Sequence, residues 1–205
     1  MFVTSNNKTT TATLKEMKTR GDKIVALTAY DTPTAKILNE LGVDIVLVGD
    51  SVGNVKLGYD NTIPVTVEQM LHHTQAAKRG NSRALLVTDM PYLSYQLSAQ
   101  EAKVNAGRFI KEGGAEAVKL EGGIEVANTI KALTDINVPV MGHLGLTPQA
   151  INKIGGYKMQ GQTEKSAEKM VTDAKVLEGA GIFALVLECV PADLAAEITR
   201  KVSVP

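Results

Sequence analysis

The sequence predicts an α/β fold of the (β/α)8 TIM-barrel class, truncated after about six βα units, on three observations. One phrase recurs: helix, glycine, small residue, apolar strand, then an acid. It runs through Leu41-Gly42-Val43-Asp44 into Asp50, Gly113-Gly114-Ala115-Glu116 into Glu121, and Gly179-Ala180-Gly181 into Glu188. Repetition of one βα unit, with connections long enough for a crossover helix, calls for parallel strands. The strands are also continuous apolar runs, of which Ile45-Val46-Leu47-Val48 is the clearest, and such runs are buried on both faces. Neither a G-x-G-x-x-G nor a Walker A pattern is present, which weakens an open nucleotide-binding sheet. A closed barrel needs eight units and typically ~250 residues, whereas six units occupy all 205 residues here. Val202-Ser203-Val204-Pro205 reads as the approach to a seventh strand. The expected organisation is a flexible tail over 1–12 and a barrel domain over 13–205, incomplete at its C-terminus.

The elements follow from local signals. Thr13 to Arg20 is a short amphipathic helix stopped at Gly21, and Ile24-Val25-Ala26-Leu27 is a first buried strand. Thr32-Pro33 supplies an N-cap and a first-turn proline for a helix ending at Gly42. After the Ile45–Val48 strand, a loop from Gly53 to Pro64 leads to Thr66-Val67-Glu68-Gln69, a capping box for a helix to Gly80. Leu85-Leu86-Val87-Thr88-Asp89 is the third strand. Ser98-Ala99-Gln100-Glu101 opens a helix ending at Gly113-Gly114, and Ala117 to Glu121 is the fourth strand. A helix through Leu133 leads to a fifth strand over Val138 to His143. A short helix from Pro148 sits inside the polar passage 144–163. A helix to Gly179, the strand Phe183 to Glu188 and a helix from Pro191 complete the chain.

Composition narrows the function. Lys plus Arg and Asp plus Glu number 22 each, so no net basic charge draws the chain to nucleic acid or an anionic membrane. No apolar run approaches a membrane span, and the start lacks a basic-then-apolar signal. A single cysteine, Cys189, excludes an internal disulfide framework and fits a reducing compartment, so a cytoplasmic location is expected.

In parallel α/β folds, ligands sit at the C-terminal ends of the strands. Asp50, Asp89, Glu121, His143 and Glu188 would all converge there. Lys119 lies two residues before Glu121, so strand alternation puts both on one face, toward the barrel axis. Each acid alone reads as a turn residue; four at one edge with a lysine form an oxygen-rich site. Such a site suits a hard divalent ion such as Mg²⁺ and not structural zinc. Without a cation, that many acids would hold protons. His143 reads equally as a core histidine or a participant. His72 and His73 read as surface or packing residues in mid-helix. Alternation points Cys189 away from Glu188, as a buried small hydrophobe. Tyr30-Asp31 ends the first strand near the site, and Gly155-Gly156-Tyr157 reads as a hinge or a turn.

Taken in order, Thr28-Ala29-Tyr30-Asp31, Val48-Gly49-Asp50-Ser51, Pro64-Val65-Thr66, Asp89-Met90-Pro91, Val118 to Gly123, Gly142-His143-Leu144-Gly145-Leu146-Thr147-Pro148 and Leu187-Glu188-Cys189-Val190-Pro191 resemble the ketopantoate hydroxymethyltransferase family. The resemblance covers nearly the whole chain from Thr10. It implies a Mg²⁺-dependent barrel that moves a one-carbon unit from 5,10-methylenetetrahydrofolate, as co-substrate, onto 3-methyl-2-oxobutanoate. The product is 2-dehydropantoate (ketopantoate), on the route to pantothenate and coenzyme A. By resemblance Asp50 and Asp89 bind the metal, and Glu121 acts on it directly or through water. Asp50, Ser51, Asp89 and Lys119 hold the keto acid, and Glu188 is the base; the placement of His143 and Tyr30 at strand ends, apart from the resemblance, offers them as supports from behind. For Glu188 to take the C3 proton, burial should raise its pKa toward neutrality. The partners implied are a 2-oxo acid and a folate, with a homo-oligomer at full length. Asn61 stands where the family carries a serine. The truncation would leave the first and sixth strands with unpaired edges, and a poorly stable or inactive polypeptide is expected. A phosphoenolpyruvate mutase or isocitrate lyase type of Mg²⁺ enzyme shares the barrel, but the lyase's Lys-Lys-Cys-Gly-His loop is absent. A non-catalytic remnant is the third alternative.

Overall fold

Helices and strands alternate along almost the whole chain in the computed structural model, which describes residues 8–205. In order they are α1 (Thr11–Arg20), β1 (Ala26–Thr28), α2 (Thr32–Leu41), β2 (Ile45–Val48), a short α3 (Val52–Val55), α4 (Val67–Gly80), β3 (Leu85–Asp89), α5 (Ala99–Lys111) and β4 (Ala117–Glu121). There follow α6 (Ala127–Thr134), β5 (Val140–Gly145), α7 (Ile151–Ile154), α8 (Glu164–Gly179), β6 (Ala184–Glu188) and α9 (Ala192–Lys201). The six strands are parallel, and each lies beside its neighbour in the chain, in the order β1 to β6. A doubly wound sheet would reverse direction part-way; this one advances steadily, as a barrel wall does. Six parallel strands thus form a half-barrel. Among the described residues, β1 and β6 each pair on one side only along their lengths. The Leu185 N–H nevertheless donates to the Pro205 carbonyl at 2.9 Å, so the last residues begin to follow β6.

Register explains what the inner face carries. Asp89 is the partner of Lys119 across β3 and β4, and Glu121 is the partner of His143 across β4 and β5. Because side chains alternate along a strand, residues two apart share a face. The inner face is apolar at the strand starts, where Ile45, Leu85, Val87, Ala117, Met141 and Ala184 cluster with Leu14 of α1. It turns polar toward the strand ends. The larger apolar cluster, including Leu86, Phe109, Leu120, Ile130 and Leu177, lies between the other face and the helices. Apolar packing on both faces holds the strands rigid beneath the polar rim.

Several local expectations need correction. Residues 1–7 of the expected tail lie outside the described residues. The rest is anchored: the Thr9 N–H donates to Arg83 O at 2.8 Å, and Lys8 pairs with Glu116 at 2.5 Å. Thr10 caps α1 through a capping box with Thr13, so the helix starts two residues early. The first strand is exposed and not buried, with Val25 and Leu27 each 46% accessible, because it pairs only with β2. Asp31, not Thr32, caps α2 by accepting from the Thr34 N–H, with Pro33 in the first turn. The loop expected after the second strand begins with α3. Its N-cap residue Ser51 makes no side-chain cap because its hydroxyl is bonded to Tyr30.

Candidate active site

The strand-end acids meet as expected. Thr28, Gly49, Asp50, Ser51, Asp89, Lys119, Glu121, His143 and Glu188 line one cavity of about 310 Å³, with Thr62 and Tyr157 among its walls. Asp50 and Asp89 are in contact: the Asp50 backbone N–H donates to Asp89 Oδ2 at 3.0 Å. Gly49 permits this, since a Cβ there would stand 2.9 Å from Ser51 Oγ and 3.4 Å from Asp89 Oδ2. Lys119 Nζ lies 3.0 Å from Asp89 Oδ1 and 3.2 Å from His143 Nδ1, and the lysine is only 5% exposed. His143 Nδ1 is 3.6 Å from Glu121 Oε1, and its Nε2 is 3.2 Å from Glu188 Oε2. Tyr30 Oη and Ser51 Oγ share a 2.7 Å hydrogen bond, which places Tyr30 behind Ser51.

The electrostatics follow from burying three acids with one ammonium. Burial, then the neighbouring Asp89, pushes the Asp50 carboxyl up to about 7. Burial pushes Glu121 up to about 8, although Lys119 pulls the other way. Burial lowers the Lys119 ammonium, but Asp89, Glu121 and Asp50 together outweigh it and the net direction is upward. Burial, then Lys119, pulls His143 down, so the imidazole is neutral at neutral pH. A neutral ring satisfies both neighbours if Nδ1 accepts from Lys119 and the Nε2 proton faces Glu188. His143 is therefore a participant in the polar rim and not a core histidine bonded to backbone.

The residues suit a hard divalent cation. Asp89 Oδ1 is buried and makes no well-directed hydrogen bond despite its contact with Lys119. The protons that Asp50 and Glu121 hold mark a shortage of positive charge. Among the described residues, no group of three or more His, Cys, Asp or Glu is arranged as a ready ligand cage. That fits Mg²⁺, which commonly takes one or two carboxylates and fills its other positions with water or substrate oxygens. Asp50 and Asp89 could supply those carboxylates.

Two expectations fail. Glu188 is not raised: the His143 ring, whose Nε2 is 3.2 Å away without a well-directed hydrogen bond, holds the carboxyl below the usual range, and the side chain is 43% exposed, so burial does not prevail. Cys189 is exposed and not buried, because the chain leaves β6 in a left-handed conformation there (φ 50°) and alternation no longer applies. Asn61 accepts from the Ile63 N–H at 3.0 Å and shapes the turn, while the next residue, Thr62, lines the cavity. The Thr62 hydroxyl is buried without a hydrogen-bond partner. Thr62, deep in the loop between α3 and α4, and Gln149, four residues after β5, carried no motif signal. His73 is the packing residue of the two expected alternatives: its Nδ1 lies 2.8 Å from Tyr30 O and helps hold β1's exit.

A half-barrel of parallel strands with a basic-and-acidic rim at its strand ends places the chain in the α/β barrel class. The family description that matches, over residues 8–205, is Ketopantoate hydroxymethyltransferase, and the chain belongs to that family. It is 58% identical over 198 residues to the 3-methyl-2-oxobutanoate hydroxymethyltransferase of Thermoanaerobacter sp. (strain X514), covering 97% of this chain and 72% of that protein. It is 56% identical over 199 residues to the protein of the same name from Carboxydothermus hydrogenoformans, with the same coverages. Relatives so named are transferases, and this family assignment displaces the lyase alternative. Among solved structures, the fold is similar to phosphonopyruvate hydrolase in complex with oxalate and Mg²⁺ (TM-score 0.66, 16% identity, 92% of this chain and 67% of that one). It is also similar to 2,3-dimethylmalate lyase (TM-score 0.64, 13% identity, 95% and 67%). At such identities the likeness concerns the fold alone. No helix among the described residues is long and apolar enough to cross a membrane.

Proposed function

We propose that this chain carries the site for transfer of a hydroxymethyl group from 5,10-methylenetetrahydrofolate to 3-methyl-2-oxobutanoate, with Mg²⁺ held by Asp50 and Asp89. The observation that carries the reading is the meeting of Asp50, Asp89, Lys119, Glu121, His143 and Glu188 at a single cavity. A bound Mg²⁺ would polarise the ketone and make the C3 proton more acidic. The remaining work falls to the chain. Asp50 and Asp89 fix the cation's place, and the Ser51 hydroxyl, held by Tyr30, offers a donor to the keto acid's carboxylate. Lys119 adds fixed positive charge toward the keto oxygen as charge develops there, without reorganisation, because Asp89 and His143 already hold it. Glu188 stands on the opposite side of His143 from Lys119 and receives the C3 proton. Glu121 would act on the cation directly or through water. The single, unpaired thiol fits a cytoplasmic setting.

The test is exchange of the C3 proton of 3-methyl-2-oxobutanoate in D₂O with Mg²⁺ present, which needs no folate. Exchange by the folded chain, abolished in Glu188→Gln with keto-acid binding retained, supports the assignment. Exchange that persists in Glu188→Gln removes Glu188 as the base. No exchange in a folded, Mg²⁺-loaded sample supports a non-catalytic remnant.

A further inference from the structure

The turn after β5 reaches across the rim and grips two of its acids at once. Gln149 sits in the 3₁₀ turn Pro148–Ala150 and is 7% exposed. Its Nε2 donates to Asp50 Oδ2 at 2.8 Å and to the Met90 carbonyl at 2.9 Å. Its Oε1 accepts from Gln96 Nε2 at 3.1 Å and lies 2.8 Å from Tyr95 Oη. Its backbone N–H donates to Glu121 Oε2 at 3.0 Å. A carbonyl can only accept, so Met90 O fixes the amide with its nitrogen toward Asp50. The Tyr95 hydroxyl, which also accepts the Glu121 N–H at 3.1 Å, locks the other end.

We infer that Gln149 is a positioning residue for the cation site. It occupies Oδ2 of Asp50 and Oε2 of Glu121, so that Asp50 presents Oδ1 and Glu121 presents Oε1 to the cavity. Among the described residues no donor bonds to Asp50 Oδ1, whereas both amide hydrogens of Gln149 are committed. A carboxylate held by one oxygen is a one-oxygen ligand with a fixed direction, and groups that orient ligands from behind tune metal affinity strongly. The geometry also couples the acids: the residue whose side chain holds Asp50 holds Glu121 with its backbone. This inference rests on the cation reading above, and the two fail differently.

The experiment titrates Mn²⁺, as a paramagnetic stand-in for Mg²⁺, into the chain and into Gln149→Met, which keeps volume and removes both donors. A hydrogen bond to a charged group is worth enough that affinity should fall about tenfold or more. Circular dichroism of Gln149→Met should stay that of a folded chain. Tyr95→Phe, which frees the far end of the amide, should weaken Mn²⁺ in the same direction by less, and it serves if Gln149→Met does not fold. In whichever variant exchanges the C3 proton, saturating Mg²⁺ should restore the rate, because the defect lies in the cation's affinity. Unchanged Mn²⁺ affinity in a folded variant overturns the inference while leaving the cation reading intact. A parent chain that takes up no Mn²⁺ overturns both.

Discussion

Without a cation, this chain should lose stability as the pH rises through neutrality, the reverse of the behaviour that surface carboxylates produce. Burial holds Asp50 at about 7 and Glu121 at about 8 in the folded state, against 3.8 and 4.5 for the free groups. The folded state then keeps protons that the unfolded chain has released. The stability this confers is complete below the unfolded values and is lost as pH climbs through the folded ones. His143 works with the opposite sign, since its lowered value favours folding above its ordinary range, but that contribution is level once the unfolded imidazole is neutral. Glu188 and Glu178, held low, have finished titrating well before neutrality. Between about pH 6.5 and about pH 8.5 the loss from Asp50 is therefore roughly 1 kcal/mol and that from Glu121 roughly 2, about 2–3 together. Urea unfolding at several pH values in a chelator measures it directly. Saturating Mg²⁺ should flatten or invert the trend, because a ligand bound only by the folded state adds most where the acids are free of protons. Metal-free stability that is level or rises across this interval would refute the account of the buried acids.

Three further outcomes follow. Lys119→Met leaves Asp89 and its neighbours without their buried ammonium, so stability near neutral pH should drop by about 3 kcal/mol, with part recovered in acid as the carboxylates take up protons; a cost independent of pH would show that Lys119 is not their counter-charge. Gly145→Ala should unfold or distort the β5–β6 junction, because φ is 95° and a Cβ there would lie 2.1 Å from Glu188 O; a soluble variant of parental melting temperature and exchange activity would contradict this. The acid limb of the proton-exchange profile should move to lower pH as Mg²⁺ is raised, because protons and the cation compete for Asp50; a limb indifferent to Mg²⁺ would place the controlling group elsewhere.

Much of the rim was legible in the sequence because parallel strands turn spacing into position. Asp50, Asp89, Glu121 and Glu188 each end an apolar run, and the two-residue step from Lys119 to Glu121 shows that they share a face. What spacing could not supply was the environment across the sheet. Whether Glu188 would be raised or lowered depended on its neighbour: the His143 ring, one strand away, stands 3.2 Å from its carboxylate and holds it low. Cys189 escaped for a local reason, since alternation is a rule of extended backbone and φ turns positive at that residue. Gln149 escaped because nothing local announces it. It lies in a polar passage after Pro148, and its meaning arises only when that turn folds back 99 residues in sequence onto Asp50.

With Glu188 as the base proposed above, its lowered pKa also determines how proton removal would be divided between the two ends of the site. A base held below its ordinary range is ionised throughout the neutral region and needs no prior deprotonation, but it draws the proton weakly. On the function proposed above, the driving force would then come from the electrophilic end, where a cation held by Asp50 and Asp89 and the buried Lys119 ammonium would make the C3 proton more acidic. This division suits the burial. The groups that hold charge at the electrophilic end, Asp89 and Lys119, are 4% and 5% exposed, so they need not reorganise as charge develops. His143 lies between them as a neutral spacer, accepting from Lys119 on one side and facing Glu188 on the other. Were Glu188 buried as deeply as Glu121 it would be a stronger base, yet it would also join the acids that need the same counter-charge and would hold a proton in the resting state.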